Sequence, residues 1–255
     1  MVIGVAAPEG LDRPCGPTLP SSSDCPACCA DGVNGMSQLE TQILLEKWLP
    51  APWDEFVKLA DAPTFDKLKS YYYQSQMRFE PMSTGSDHSN DNALILFALS
   101  FFAVQHGILM TAKDGCSYRK AGVTEFQPDA SFYIGDNAEA IPWGTRVVDL
   151  NRYPSPDLVI EISDTSLPDD RGTKRLQYED LRIPEYWIVN VQTSTILAFS
   201  VAADGSSRQI RQSQVLPGLE LTILETALQR SRQENQSLTM AWLMGQFQNA
   251  ASRAE

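Results

Sequence analysis

Residues Leu158 to Ile162 read Leu-Val-Ile-Glu-Ile, a short apolar run with one carboxylate inside it. Such a run suits a strand covered on both faces, which places it inside a sheet flanked by other layers. An unpaired charge there is costly, so Glu161 requires a partner, either a metal ion or a buried Arg or Lys. Alternate residues of a strand share a face, so Asp157, Glu161 and Ser163 point the same way. At about 3.3 Å per residue, Asp157 and Glu161 stand roughly 13 Å apart. One cation with ligands at about 2.1 Å cannot bridge them, so a second carboxylate must come from another strand.

The stretch Gln127-Pro128-Asp129-Ala130-Ser131-Phe132-Tyr133-Ile134 supplies one. An acid opening a neighbouring strand would lie beside Glu161, with about 5 Å between adjacent backbones. Two carboxylates converging on a sheet suit Mg²⁺, a hard ion that takes a few protein oxygens and keeps other positions for water and phosphate. An ion so held polarises a scissile phosphate and lowers the pKa of a bound water, the chemistry of phosphodiester hydrolysis.

The surrounding pattern outlines one main domain. Ser89 to His106 is apolar on nearly all sides and is followed by Gly107 where a left-handed cap is expected, which predicts a core helix. Strands are predicted at Ile108 to Ala112, Ala130 to Ile134, Leu158 to Ile162 and Tyr186 to Val191, with a helix over Asp170 to Leu181. Short helices are predicted over Ser37 to Trp48 and Thr64 to Tyr73, and an extra excursion over Gly135 to Pro156. Tyr71, Tyr72 and Tyr73 read either as packing or as a platform for stacked bases. Downstream, Thr195 to Val201 and Arg208 to Arg211 flank Ala203-Asp204-Gly205-Ser206, which suits a hairpin loop. Leu219 to Leu224 predicts a final strand, and Glu225 to Glu255 two helical stretches. The apolar residues of the latter, Leu238 to Phe247, suit an oligomer interface or packing against the parent domain.

Charge narrows the partners. The chain has 20 lysines and arginines against 32 aspartates and glutamates, a net charge of −12. Its surface as a whole repels phosphate, so nucleic-acid contact must be local or mediated by a cation. Arg171, Lys174, Arg175 and Arg182 offer a local basic patch. The most apolar stretch, Ala93 to Met110, is interrupted by Ser100, Gln105, His106 and Gly107, whereas a membrane span wants about 20 mainly apolar residues. No secretory signal is evident, and the expectation is a soluble cytoplasmic protein with no membrane partner. Residues 1–36 are rich in Pro, Ser and Gly and hold Cys15, Cys25, Cys28 and Cys29. They read as a disordered leader with reduced thiols, the alternative being that Cys25 and Cys28 form half of a zinc site.

Four strings then occur in order: Gln-Pro-Asp129-Ala-Ser-Phe-Tyr-Ile, Tyr-Pro-Ser-Pro-Asp157-Leu-Val-Ile-Glu161-Ile-Ser163-Asp-Thr-Ser, Lys174-Arg-Leu-Gln-Tyr178, and Ile-Pro-Glu185-Tyr186-Trp187-Ile-Val. On these, the chain from about Arg78 to Val191 resembles the Uma-two family, a restriction-endonuclease family abundant in cyanobacteria with the PD-(D/E)XK nuclease fold. The resemblance implies an α/β (α+β) protein with a restriction-endonuclease-like core. That core is a mixed β-sheet flanked by helices, in the order helix, strand, strand, strand, helix, strand, with a C-terminal hairpin and helical tail. The division expected is a leader over 1–36, a nuclease-like domain over 37–224 and a tail over 225–255. The activity implied is a Mg²⁺-dependent endonuclease, with Mn²⁺ as substitute, acting on DNA.

By position, the resemblance makes Asp129 and Glu161 the metal ligands. The eponymous motif wants a lysine two residues after the second acid, where this chain has Ser163. Family members look as though the lysine comes from the following helix, which nominates Lys174. Lys174, Tyr178 and Leu181 share one helical face, and an ammonium there would orient the attacking water and stabilise transition-state charge. The alternative is an ordinary surface pair with Asp170. Glu80, in Arg78-Phe79-Glu80-Pro81-Met82, matches the acid the family places before the core helix and is a third metal and catalytic candidate. His88 reads as a phosphate contact or general acid, or as a helix cap. Asp157 supports the site from behind or caps a turn, and Ser163, Asp164 and Ser166 are secondary candidates. Pro184 to Trp187 reads as architecture. A homodimer is expected if two sites cut two strands. The rival reading is a catalytically inactive nuclease-fold module used for binding or assembly, and a third is a carboxylate-metal hydrolase with another substrate.

Overall fold

The computed structural model describes residues 45–82 and 85–251; the leader and its four cysteines lie outside the described residues. In chain order the elements are β1 (Leu49–Pro50), α1 (Trp53–Ala60), β2 (Leu68–Tyr73), β3 (Gln76–Pro81), α2 (Ser86–Gln105), β4 (Met110–Asp114), β5 (Ser117–Lys120), β6 (Thr124–Phe126), β7 (Ala130–Ile134), β8 (Val147–Asp149) and β9 (Leu158–Ser163). After them come α3 (Leu167–Asp170), α4 (Thr173–Asp180), β10 (Glu185–Asn190), β11 (Thr195–Val201), β12 (Ser207–Ile210), α5 (Leu221–Arg230) and α6 (Gln236–Ala251). The fold is α+β, with two six-stranded sheets flanked by helices. One runs β12-β11-β10-β9-β7-β4 and the other β1-β3-β2-β6-β5-β8.

The expected helix, three strands, helix and strand are α2, β4, β7, β9, α3–α4 and β10, and the four strands among them join β11 and β12 in the central sheet. β9 lies at its heart, antiparallel to β7 and parallel to β10. Alternation divides this sheet into two unlike faces. Leu158, Ile160 and Ile162 join Trp187, Val189, Ala198 and Phe132 in an aliphatic core with Leu94, Leu99 and Phe102 of α2 and Leu224 and Leu228 of α5. Val159, Tyr133, Tyr186 and Phe199 pack the opposite face against Tyr71, Tyr118 and Phe126 of the second sheet and Tyr178 of α4.

Three expectations are corrected. Thr64 to Tyr73 is not a helix: a 3₁₀ turn at Pro63–Phe65 leads into β2. Aromatic runs favour strands, and Gln74 and Ser75, with φ of 47° and 58°, turn the chain tightly into β3. The described end of Ser37 to Trp48, residues 45–48, is turn running into β1 rather than helix. Leu219 to Leu224 is not a strand but runs into α5, because Leu221, Leu224 and Leu228 recur at helical spacing and are buried. The excursion after Gly135 holds a 3₁₀ turn and β8, which joins the second sheet.

The boundary expected at residue 225 falls inside α5. Leu243 and Phe247 of α6 are buried in the aliphatic core, with Phe247 edge-on to Phe102 at 5.1 Å. Arg232, between the last two helices, holds buried Asp91 of α2 through two bonds of 2.6 Å. The tail is thus a wall of the same core. Among the described residues, no helix is long and apolar enough to cross a membrane.

Candidate active site

Asp129 immediately precedes β7. The β7–β9 register pairs Ser131 with Val159 and Ala130 with Ile160, and one step further sets Asp129 opposite Glu161. Both acids therefore leave the sheet on the Tyr-rich face. They line one cavity of about 480 Å³ together with Lys69, Arg78, Glu80, His88, Asp164, Asp169 and Lys174. All of these except Asp164 and Asp169 come to the cavity from β2, β3, α2 and α4 or the edges of β7 and β9.

Each acid is held by named donors. Asp129 Oδ1 accepts from Lys69 Nζ at 2.5 Å and lies 3.3 Å from His88 Nε2, while Oδ2 accepts the Ile162 amide at 2.8 Å. Glu161 Oε1 accepts from the Tyr178 hydroxyl at 2.6 Å and stands 3.8 Å from Lys174 Nζ. Glu80 accepts from Arg78 Nε at 2.6 Å and from Lys174 at 3.1 Å. Lys174 also lies 3.1 Å from Asp170 and 4.5 Å from the centre of the Tyr71 ring. It is buried rather than the exposed partner of Asp170 that its helix spacing also allowed.

These contacts separate the acidities of the facing acids. Burial alone would raise Asp129, but Lys69, followed by His88, holds it below the usual carboxylate range. Burial pushes Glu161 up to about 8; Lys174 and Lys69 oppose the rise, while Asp129 and Asp170 add to it. Burial works against the charge of Lys174, but Glu161, Glu80 and Asp170 outweigh it and hold its ammonium well above the ordinary lysine range. Glu80 is likewise held low, with Lys174 and Arg78 overcoming its burial.

Other sequence candidates lie elsewhere. Asp157 shares the strand face of Glu161 but does not line the cavity; it accepts the Ile134 amide at 2.7 Å and the Asn137 side chain at 2.9 Å, clamping the turn after β7. Ser163 is buried with its hydroxyl unpartnered and is also absent from the cavity wall. Of the basic cluster, Lys174 lines the cavity, whereas Arg175 pairs with Glu179 and stacks over Phe199. Tyr71, Tyr72 and Tyr73 are all buried, which makes them packing residues. Glu185 is buried too, and accepts from the Val215 amide, Trp187 and Ser213, fixing the chain before α5.

Sequence reasoning missed Lys69, Arg78 as a partner of Glu80, and the pairing of Tyr178 with Glu161. Lys69 was hidden because its segment read as helix; on a strand paired with β3 it stands directly opposite Glu80, with Tyr71 opposite Arg78 on the same face. Gly172 also matters, between α3 and α4. A Cβ there would sit 3.0 Å from the Pro168 carbonyl oxygen, so glycine lets the turn close that brings Asp170 and Lys174 together.

The donor set fits a hard divalent cation. Asp129 and Glu161 offer oxygens from facing positions at one cavity, and Mg²⁺ is commonly held by one or two carboxylates with water and phosphate completing its shell. Among the described residues, no three His, Cys, Asp or Glu side chains are arranged to hold a metal by themselves. Glu80, engaged by Arg78 and Lys174, stands as a charge partner of the lysine.

These features define an α+β protein whose central sheet presents paired carboxylates and a buried lysine to a cavity. Residues 53–241 match the Uma2 family, described as "Putative restriction endonuclease", and the chain belongs to that family. Among solved structures, one described as a putative nuclease belonging to DUF820 from Anabaena variabilis ATCC 29413 is similar. It is 19% identical, covers 70% of this chain and 99% of its own, and superposes with a TM-score of 0.48. No curated protein matches.

Proposed function

We propose that this chain is a Mg²⁺-dependent endonuclease, with Mn²⁺ as substitute, that hydrolyses phosphodiester bonds in DNA. The observation that carries this reading is the placement of Asp129 and Glu161 opposite each other at one cavity that Lys174 also enters. Asp129 and Glu161 would hold the ion. When bound, it lowers the pKa of a water and draws charge from the scissile phosphate. Lys174, fixed by Glu80 and Asp170, places positive charge where the phosphate becomes more negative. Tyr178 orients Glu161 by donating to Oε1. His88 flanks Asp129 from the N-terminal turn of α2. A homodimer would let two such sites cut two strands, and a cytoplasmic location belongs to the same reading.

One observation favours the rival, a nuclease-fold module used for binding: Asp129, Glu161 and Glu80 are each already matched by a lysine of the chain itself. Incubating purified protein with supercoiled plasmid in Mg²⁺, Mn²⁺ or EDTA separates the two. The nuclease reading expects nicking with either ion and none in EDTA. A folded protein that leaves duplex DNA, single-stranded DNA and RNA intact in both ions belongs to the binding class.

A further inference from the structure

Lys69 Nζ stands 2.5 Å from Asp129 Oδ1, one of the two oxygens that Asp129 can offer a cation at this site. A carboxylate offers about four acceptor directions, and Asp129 has three committed, to Lys69, His88 and the Ile162 amide. A cation bound to Oδ1 at about 2.1 Å would crowd the ammonium on the same atom. In a buried site their repulsion is weakly screened. A cation that takes Oδ1 therefore displaces the ammonium.

Lys69 is the one built to move. Its stem is flexible, whereas the Ile162 amide is fixed by β9 and His88 by α2. Lys69, His88 and Asp129 also border a second cavity, of about 450 Å³, whose wall carries Asn92, Asp114 and Gln127, all with oxygens to receive an ammonium.

We infer that Lys69 is a resident counter-cation that trades places with the divalent ion on Asp129, its ammonium turning into the adjoining cavity as the metal enters. This rests on reading Asp129 and Glu161 as metal ligands. The exchange keeps Asp129 paired in both states, and so spares the fold the cost of a buried, uncompensated carboxylate. It also sets a threshold on metal affinity, because the ion must displace a charge-assisted contact before it binds.

Mn²⁺ binding measured by calorimetry, without substrate, tests this on wild type, Lys69→Met and Asp129→Asn. Lys69→Met is expected to bind Mn²⁺ about tenfold or more tightly than wild type, the size of one charge-assisted hydrogen bond removed from competition. Asp129→Asn should bind more weakly than wild type. Folded Lys69→Met that binds equally or more weakly overturns the exchange while leaving the metal site standing. No Mn²⁺ binding by either wild type or Lys69→Met overturns both. Should Lys69→Met not fold, labelling of wild type with an amine-reactive reagent decides the matter. Lys69 labelling is expected to rise several-fold on adding Mg²⁺ relative to Lys174, and an unchanged ratio overturns the exchange.

Discussion

The two faces of the central sheet are built by different means. Toward α2, α5 and α6 the sheet presents Leu158, Ile160, Ile162, Trp187 and Val189, nearly all hydrocarbon. Toward the second sheet it meets tyrosines, drawn from both sheets and α4, whose rings pack while their hydroxyls are spent on particular acceptors. Tyr178 donates to Glu161, Tyr186 to the Asp170 carbonyl and Tyr71 to the Gln127 carbonyl, while Tyr118 shares a hydrogen bond with Ser131. The first face is held by area removed from water, which is tolerant of detail. The second is held by direction, and its acids and lysines are satisfied only as a set. β9 serves both faces, with Leu158, Ile160 and Ile162 in the aliphatic core and Glu161 at the cavity.

Substitutions in the largest class of effect should sharpen this contrast. Leu158→Ala is expected to cost about 2–5 kcal/mol by emptying the aliphatic core. Lys174→Met should cost a comparable 3–5 kcal/mol or so, for another reason: it strands buried Asp170 without its cation, leaves Glu80 to Arg78 alone and takes the nearest ammonium from Glu161. Denaturant unfolding at several pH values tells the causes apart. The Lys174→Met penalty should shrink as pH falls and the acids protonate, whereas that of Leu158→Ala should stay level. Parallel pH behaviour of the two would break the distinction.

A smaller effect is expected where only orientation changes. Tyr178→Phe keeps the packed ring but removes the donor to Glu161, and should slow cleavage about 10- to 100-fold. Ile160→Val, on the neighbouring position of the same strand, should cost about 0.5–1.5 kcal/mol and leave cleavage unchanged. Assay and melt together would expose a mixing of the two faces if Ile160→Val impaired cleavage as much as Tyr178→Phe.

The pH dependence of Glu161 has a definite sign. Burial raises its carboxyl from 4.5 to about 8, so the folded chain holds this proton more tightly than the unfolded one. Stability from this group is complete below pH 4.5 and declines as pH rises toward 8. Asp129, held low, acts oppositely: its contribution is present above pH 3.8 and is lost as pH falls. Glu161→Gln should therefore be more stable than wild type at pH 8 and converge with it near pH 4.5, read from denaturation midpoints. A mutant destabilised at pH 8 would mean that the carboxylate, rather than the acid, is the form the fold prefers.

The aliphatic face was the more legible in the sequence. Ala130–Ile134 and Thr195–Val201 begin and end where their apolar patterns do, and the core helix ends at Gln105, just before Gly107, whose φ is 63°. The opposite face was legible only where a motif carried it, through Asp129, Glu161 and Lys174. β2 and β3 were hidden because Gln74-Ser75 lacks the Asn-Gly signature of a tight hairpin turn, and Lys69 was hidden with them. The start of α5 misled because Leu219, Leu221 and Ile223 alternate like a strand, while the longer helical period through Leu228 prevails. Long-range pairings such as Lys69 with Asp129, 60 residues apart, have no local signature at all.

Glu161 of β9 and Asp157, just before that strand, offer the most direct test of the site. Glu161 lines the cavity, while Asp157, on the same face, clamps the turn after β7. Nicking of supercoiled plasmid in Mg²⁺ should be lost in Glu161→Ala and retained in Asp157→Asn, each checked for folding. Equal nicking by folded Glu161→Ala and wild type would contradict the assignment of Glu161 to the chemistry.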